Sequence, residues 1–124
     1  MVGPSPAARV AAPAILTQAT LRAAELLGIS QKQLARILGV SEATVSRLGD
    51  GRSIDPETKE GELALLFLRV YRSLDTLMGG DDVNSRKWMQ AQNVHLDGVP
   101  SEIIQSITGL VSVAEYLDAM RGKL

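Results

Sequence analysis

The sequence contains no cysteine, only one histidine and very few aromatic residues. Without cysteine the chain forms neither disulfide bonds nor thiolate metal sites, which is typical of proteins in a reducing cytoplasm. With His95 as the only histidine, a cluster of histidine ligands is excluded, so we expect no metal site and no cofactor. Because 45% of the residues are hydrophobic and only 3% are aromatic, the core must be mainly aliphatic.

Long apolar runs are also lacking. No segment approaches the roughly 20 apolar residues of a membrane-spanning helix, so we expect no membrane partner. The chain has no phosphate-binding glycine loop and no nucleophile elbow, which favours a cytoplasmic protein that is not an enzyme. The Ala/Pro-rich residues 1–13 lack the basic and apolar regions of a signal peptide, and we predict that they form a flexible arm.

A strong excess of either charge is absent, since the formal net charge is −1. The charges are nevertheless unevenly distributed along the chain. Residues 1–54 contain six basic and three acidic residues, whereas residues 55–124 contain seven basic and eleven acidic residues. Two halves of opposite sign indicate two surfaces with different partners.

Apolar residues recur at helical spacing and no segment alternates strictly, so the chain is predicted to be all-α. The first helical pattern, "TQATLRAAELLG", is expected to bury one face and to end at Gly28. The apolar stripe of this helix is assigned to Ile15, Ala19, Leu26 and Leu27.

The next two helices are short, and a long one follows them. Their patterns run from Gln31 to Leu38 and from Glu42 to Leu48. Asp55-Pro56 predicts the start of a long helix that ends at Gly79-Gly80. This helix is apolar on more than one face, which predicts burial on several sides.

Three shorter helices are expected after residue 80. They are predicted in "DDVNSRKWMQAQN", in "PSEIIQSI" and in "GLVSVAEYLDAMRG". Asp81 or Asp82 is expected to cap the first, Pro100 to start the second and Thr108 to cap the third.

The stretch "QKQLARILGVSEATVSRL" has the features of a helix-turn-helix unit. Ser30 and Ser41 can each cap one of its helices. Ala35 is small where the helices approach, Gly39 suits the turn and Val45 is placed to pack back on the first helix. The small core is completed by Leu34, Leu38, Val40 and Leu48.

The pattern "Q…LA..LGVS..TVSR" resembles the DNA-binding domain of the Xre/Cro/phage-repressor family. The helix from about Glu42 to Leu48 is then the recognition helix, whose first residues reach base edges in the major groove. Arg47 suits a guanine, and Glu42 suits a cytosine amino group. Other outward positions are Ser41, Ala43 and Ser46, while Gln31, Lys32 and Thr44 suit phosphates.

The second half is similar to the toxin-binding domain of the Xre/MbcA/ParS antitoxin family. It supplies, in the family's order, Trp88, Met89, Asn93, Gly98, Pro100, Gly109 and Leu117. It departs from the family pattern at Gln92, where proline is frequent, and at Val99, where threonine or serine is frequent. A lone tryptophan among Leu and Ile is more often a core residue than a recognition residue.

The second resemblance implies that the chain is the antitoxin of a RES-domain toxin, which degrades NAD or uses it to ADP-ribosylate a target. In that family the C-terminal end of the antitoxin lies in or over the NAD pocket of the toxin. Asp118 is either a partner for basic groups on the toxin or part of a solvated helix face. Toxin-binding residues are assigned to Trp88, Asn93, Asp118, Met120, Arg121, Gly122, Lys123 and Leu124.

The combined hypothesis is an antitoxin that occludes its toxin and represses its own operon as a dimer. It divides the chain into an arm (1–13), a helix-turn-helix domain (14–54), a connecting or dimerisation helix (55–80) and a toxin-binding domain (81–124). One alternative is a plain repressor whose second half dimerises or senses a ligand, without a toxin partner. Another is a protein-interaction module whose DNA-binding domain has lost its activity.

Overall fold

The computed structural model describes Gly3 and residues 5–123, except for the side chains of residues 8–10. All regular structure in this part of the chain is helical, which confirms the all-α prediction. Two isolated backbone bridges, Leu48 with Arg52 and Asn93 with Gly98, close turns and form no sheet. The helices are α1 (Pro6–Leu27), α2 (Gln31–Leu38), α3 (Glu42–Arg47), α4 (Lys59–Leu77), α5 (Asp82–Gln90), α6 (Pro100–Ile103) and α7 (Ile107–Arg121).

The first helix begins earlier than the sequence indicated. Because α1 starts at Pro6, the predicted arm is wrong for residues 6–13. Pro6 stands at the first helical position, where its missing N–H costs no hydrogen bond, and the alanines that follow favour the helix. The remaining arm residues Met1, Val2 and Pro4 lie outside the described residues.

The buried face of α1 also differs from the prediction. Leu27 is buried as expected, but Ile15 is 65% exposed. Two threonines occupy the buried face instead, and each donates its hydroxyl to the carbonyl one turn earlier, Thr17 at 2.7 Å and Thr20 at 2.8 Å. Since these hydroxyls are satisfied within the helix, residues that look polar in the sequence can lie in the core.

The long helix α4 is the centre of the fold. It packs against α1, α2, α5 and α7, but its buried residues follow one side of the helix, so the predicted burial on several sides is only partly confirmed. Its inward residues Ala64, Phe67, Val70 and Leu74 are fully buried. The core is therefore continuous between the first and the second half of the chain.

The predicted start of α4 at Asp55-Pro56 is wrong. The helix begins at Lys59, and the N-cap is Thr58, whose Oγ1 accepts a hydrogen bond from the Gly61 N–H. Asp55 Oδ1 accepts from the Glu57 N–H, so the carboxylate stabilises a turn that precedes the helix.

The cap of α7 also differs from the prediction. Ser106 Oγ accepts from the Gly109 N–H at 3.1 Å, so Ser106 is the N-cap and Thr108 lies inside the helix. Gly109 has a second structural role, because a Cβ on this residue would lie 1.9 Å from the Ile103 carbonyl oxygen. Only glycine allows the first turn of α7 to approach the backbone at the end of α6 this closely.

We predict that Gly109→Ala destabilises the protein by about 1–3 kcal/mol, because α6 and α7 must move apart to admit the methyl group. Gly122→Ala is the matched control, since this glycine has ordinary helical angles and its Cβ would meet nothing closer than 3.5 Å. Urea unfolding of both variants measures the effect. Equal midpoints for the two variants would show that the close approach is not a constraint.

Candidate functional site

The helix-turn-helix unit forms with the caps that the sequence predicts. Ser30 and Gln33 exchange side-chain hydrogen bonds to each other's backbone N–H groups at 3.1 and 3.0 Å, which is a complete capping box. Gly39 ends α2 with a φ of 69°, a left-handed conformation that glycine adopts without strain. Ser41 Oγ then accepts from the Thr44 N–H at 3.1 Å and starts α3.

The orientation of α3 is fixed by one apolar contact surface. Val45 is the buried residue of α3, and it faces α2, where Leu34, Ala35 and Leu38 are also buried. Because Val45 points inward, the opposite side of this short helix faces solvent. The exposed residues are Ser41, Glu42, Ala43, Ser46 and Arg47.

The predicted DNA-contacting residues differ in how free their side chains are. Ser46 Oγ donates to the Ala43 carbonyl at 2.9 Å, and the Ser41 and Thr44 hydroxyls lie 3.0 Å apart in a mutual hydrogen bond. These hydroxyls already stabilise the helix. Among the described residues, no side-chain partner is found for Gln31, Lys32, Glu42 or Arg47.

Other basic residues of the first half have structural partners. Arg52 binds both carboxylate oxygens of Glu60, at 3.0 and 3.1 Å, and thereby joins the end of the helix-turn-helix unit to α4. Arg36 donates to Gln105 Oε1 at 3.3 Å, between α2 and the segment that links α6 to α7. On α2 and α3, the basic residues without a side-chain partner among the described residues are thus Lys32 and Arg47.

In the second half, side chains of α5 donate hydrogen bonds to carbonyl groups at the C-terminal end of α1. Arg86 donates to the carbonyl oxygens of Glu25 and Leu26, and Gln90 donates to those of Leu27 and Gly28. The carbonyls of the last turn of a helix lack the usual intrahelical partners. The Glu25 carbonyl also accepts from the Gly28 N–H at 3.2 Å, so Arg86 adds a second hydrogen bond there. Sequence reasoning missed this contact, since both side chains look like those of an ordinary solvated face.

The family-like residues around Asn93 have a structural explanation. The Asn93 and Gly98 backbones exchange two hydrogen bonds, at 2.8 and 3.2 Å, and Asn93 Oδ1 accepts from the Leu96 N–H. Asn93 therefore shapes the loop of residues 93–98, and its assignment as a toxin-binding residue stays a prediction. Trp88 is half-buried against the core.

This loop presents a surface that the sequence analysis did not single out. Val94 is 88% exposed, and the His95 ring stacks on Tyr116 of α7 with centroids 6.2 Å apart. Met120 lies four residues after Tyr116, so helical spacing places it on the same side of α7. The only signal in the sequence was the turn composition of "NVHLDG".

Asp118 takes part in a cluster between α4 and α7. One of its carboxylate oxygens accepts from Arg69 Nε at 2.6 Å, and the other accepts from the buried Ser73 hydroxyl at 2.8 Å. Arg121 in turn donates to Ser73 Oγ at 3.3 Å. Asp118 is therefore paired within the protein, although its side chain is still 35% exposed, and its assignment as a toxin contact stays a prediction.

Hydrogen bonds from Arg69 and Ser73 hold the pKa of Asp118 below its ordinary value. The terminal residues Met120, Arg121, Gly122 and Lys123 are exposed, and Leu124 lies outside the described residues. In the part of the chain that the structure describes, no three acidic or histidine side chains form a metal-binding group. None of the described helices has the length and apolarity needed to cross a membrane.

We predict that Asp118 makes stability depend on pH. The pKa of Asp118 is lower in the folded state than in the unfolded state. Its contribution to the free energy of unfolding is therefore fully present above the unfolded-state pKa and is lost as the pH falls through the folded-state pKa. Between about pH 7 and pH 3 the wild type should therefore lose more stability than Asp118→Asn. Glu115→Gln, an exposed change on the same helix, is the control, and identical slopes for wild type and Asp118→Asn would contradict the prediction.

Comparisons with known proteins cover almost all of the described chain. Residues 6–69 match the family model of the antitoxin Xre-like helix-turn-helix domain. Residues 73–123 match the antitoxin Xre/MbcA/ParS C-terminal toxin-binding domain. No curated protein matches the chain significantly. The two matches follow each other in the order that the sequence motifs indicated, and the chain therefore belongs to the Xre-type antitoxins, which combine a helix-turn-helix domain with a toxin-binding domain.

Proposed function

We propose that this antitoxin occludes the NAD-binding site of a RES-domain toxin and represses its own operon as a cytoplasmic, DNA-bound homodimer. The proposal rests on one observation, that the same chain matches a helix-turn-helix antitoxin domain and, directly after it, a toxin-binding domain. The toxin would consume NAD or use it for ADP-ribosylation, as the family resemblance implies. The antitoxin itself would act by binding and not as an enzyme.

The DNA-binding part of the proposal rests on α3. Its capped first turn is exposed, and the side chains of Glu42 and Arg47 have no partner in the part of the chain that the structure describes. A guanidinium group suits the O6 and N7 atoms of guanine, and a carboxylate suits the amino group of cytosine. Gln31 and Lys32, at the start of α2, are exposed where phosphate contacts position a recognition helix. A two-fold dimer would place two such helices at half-sites about one helical turn apart.

We predict that Arg47→Ala lowers the affinity for the DNA upstream of the antitoxin gene by about 1–3 kcal/mol, because one base contact is lost. Lys87→Ala is the control, since Lys87 is an exposed cation of α5. Fluorescence anisotropy over a range of salt concentrations measures both effects. A wild-type affinity that does not change with salt would contradict DNA binding, because log K should fall by roughly 0.9 per phosphate neutralised for each unit of log salt.

The toxin-binding part rests on the exposed end of α7. Met120, Arg121 and Lys123 combine an apolar side chain with two cations, which suit the acidic or polar groups of a nucleotide site. Among the described residues, Arg121 has one side-chain hydrogen bond, at 3.3 Å to Ser73 Oγ, and it also interacts electrostatically with Asp118, so a stronger partner on the toxin can replace these contacts. Val94, His95 and Tyr116 extend the proposed contact surface beyond the last turn of α7.

We predict that deleting residues 121–124 relieves inhibition of the toxin and leaves DNA binding intact, because the cluster of Arg69, Ser73 and Asp118 remains. NAD consumption by the purified protein of the adjacent gene, with and without the antitoxin, measures inhibition. Loss of DNA binding together with inhibition would indicate misfolding. If the adjacent protein does not bind the full chain at all, the plain repressor becomes the better account.

A further inference from the structure

One exposed face of α4 has no residue assigned to DNA or toxin binding, although Arg121 of the proposed toxin-binding surface lies at its edge. Its central residue, Leu65, is 51% exposed, and the neighbouring Ile15 of α1 is 65% exposed. Together with Leu68, these side chains line an open groove of about 330 Å³ between α1 and α4. Exposed apolar residues that form one continuous surface are typical of a protein contact site.

Charges of opposite sign lie on either side of this apolar centre. Glu62 stands one turn before Leu65, and Arg69 and Arg72 stand one and two turns after it, which places all four on one side of the helix. Arg72 has no side-chain partner among the described residues. Glu62 has only Lys59 at 3.4 Å, and an exposed pair of this kind contributes little to stability.

Along this face of α4, an acidic residue is followed by an apolar residue and then by basic residues. This order makes the face complementary to a second copy of itself. If a second identical helix lies antiparallel on it, each acidic end meets the basic end of the other helix. With the two-fold axis between residues 66 and 67, Leu65 lies opposite Leu68 of the second copy. Glu62 then lies within one residue of Arg72 of the second copy, about 1.5 Å along the axis.

We propose that a second copy of this chain packs antiparallel on the groove, so that α4 contacts α4 and each Glu62 pairs with Arg72 of the other copy. This interface rests on the homodimer of the proposed function and identifies the surface that forms it. The exposed acid argues against DNA as the occupant, because a phosphate backbone would repel Glu62. The mixed signs instead fit a partner with the same arrangement of charges.

The test is a charge exchange in the full-length chain, followed by sedimentation equilibrium over a range of concentrations. Glu62→Arg and Arg72→Glu should each raise the dimer dissociation constant roughly tenfold or more, because both symmetry-related contacts become repulsive. The double variant should restore the wild-type constant within about twofold. Leu65→Asp should also weaken the dimer, and no charge exchange should rescue it.

Two matched controls separate this effect from a change in total charge. Glu102→Arg and Lys87→Glu reverse exposed charges on α6 and α5 and should leave the dimer unchanged. All variants should keep the wild-type circular dichroism spectrum and toxin binding. If Glu62→Arg instead abolishes toxin binding and leaves the dimer intact, the toxin occupies this face and the proposal is overturned.

Failure of the interface and failure of the proposed homodimer give different results. A wild-type dimer that is insensitive to Glu62→Arg and Arg72→Glu overturns the interface alone. A double variant that remains dissociated overturns the antiparallel pairing. A wild-type chain that is monomeric at every concentration, and that still inhibits the toxin, overturns both the interface and the homodimer while the antitoxin function stands.

Discussion

The complete burial of one side of α4 is the constraint on which the rest of the structure depends. Phe67, Val70 and Leu74 are fully buried, and α4 packs against helices from both halves of the chain. At about 25 cal/mol per Å² of apolar surface, each such side chain contributes roughly 1.5–3 kcal/mol, a large part of the stability of a domain of this size. The helix-turn-helix unit and the toxin-binding domain therefore share one core and cannot unfold independently without exposing it.

The two domains meet inside α4 and share this core. The two family matches divide the chain between residues 69 and 73, inside α4. Polar contacts also cross the division: Arg36 reaches Gln105, and Arg69 binds Asp118. In the proposed function, a toxin bound at the end of α7 would contact Arg121, whose hydrogen bond to Ser73 joins α7 to α4.

Most residues that carry the family resemblance act inside the protein. Asn93 and Gly98 close a loop, and Gly109 allows two backbones to approach. Met89 and Leu117 are buried. These residues preserve a scaffold, whereas Val94, Met120 and Lys123 of the proposed contact surface are exposed and not part of the motif.

The sequence by itself determined the helices and caps of the helix-turn-helix unit. The capping box at Ser30, the left-handed Gly39 and the cap at Ser41 depend on residues within three positions of one another, so the spacing alone predicts them. The family assignment followed from such spacings as well. The outward side of α3 could be predicted, because one buried valine in a six-residue helix leaves little choice.

Only the tertiary structure decided the contacts between residues that lie far apart in the chain. Thr17 is buried because its hydroxyl donates to Pro13 and accepts from the Ile54 N–H, 37 residues away, and this placed Ile15 on the surface. Asp118 is paired because α7 lies against Arg69 and Ser73 of α4. Arg86 and Gln90 complete α1 from another helix. No local pattern encodes these contacts, because each requires two segments far apart in the chain to be brought together by the burial of α4.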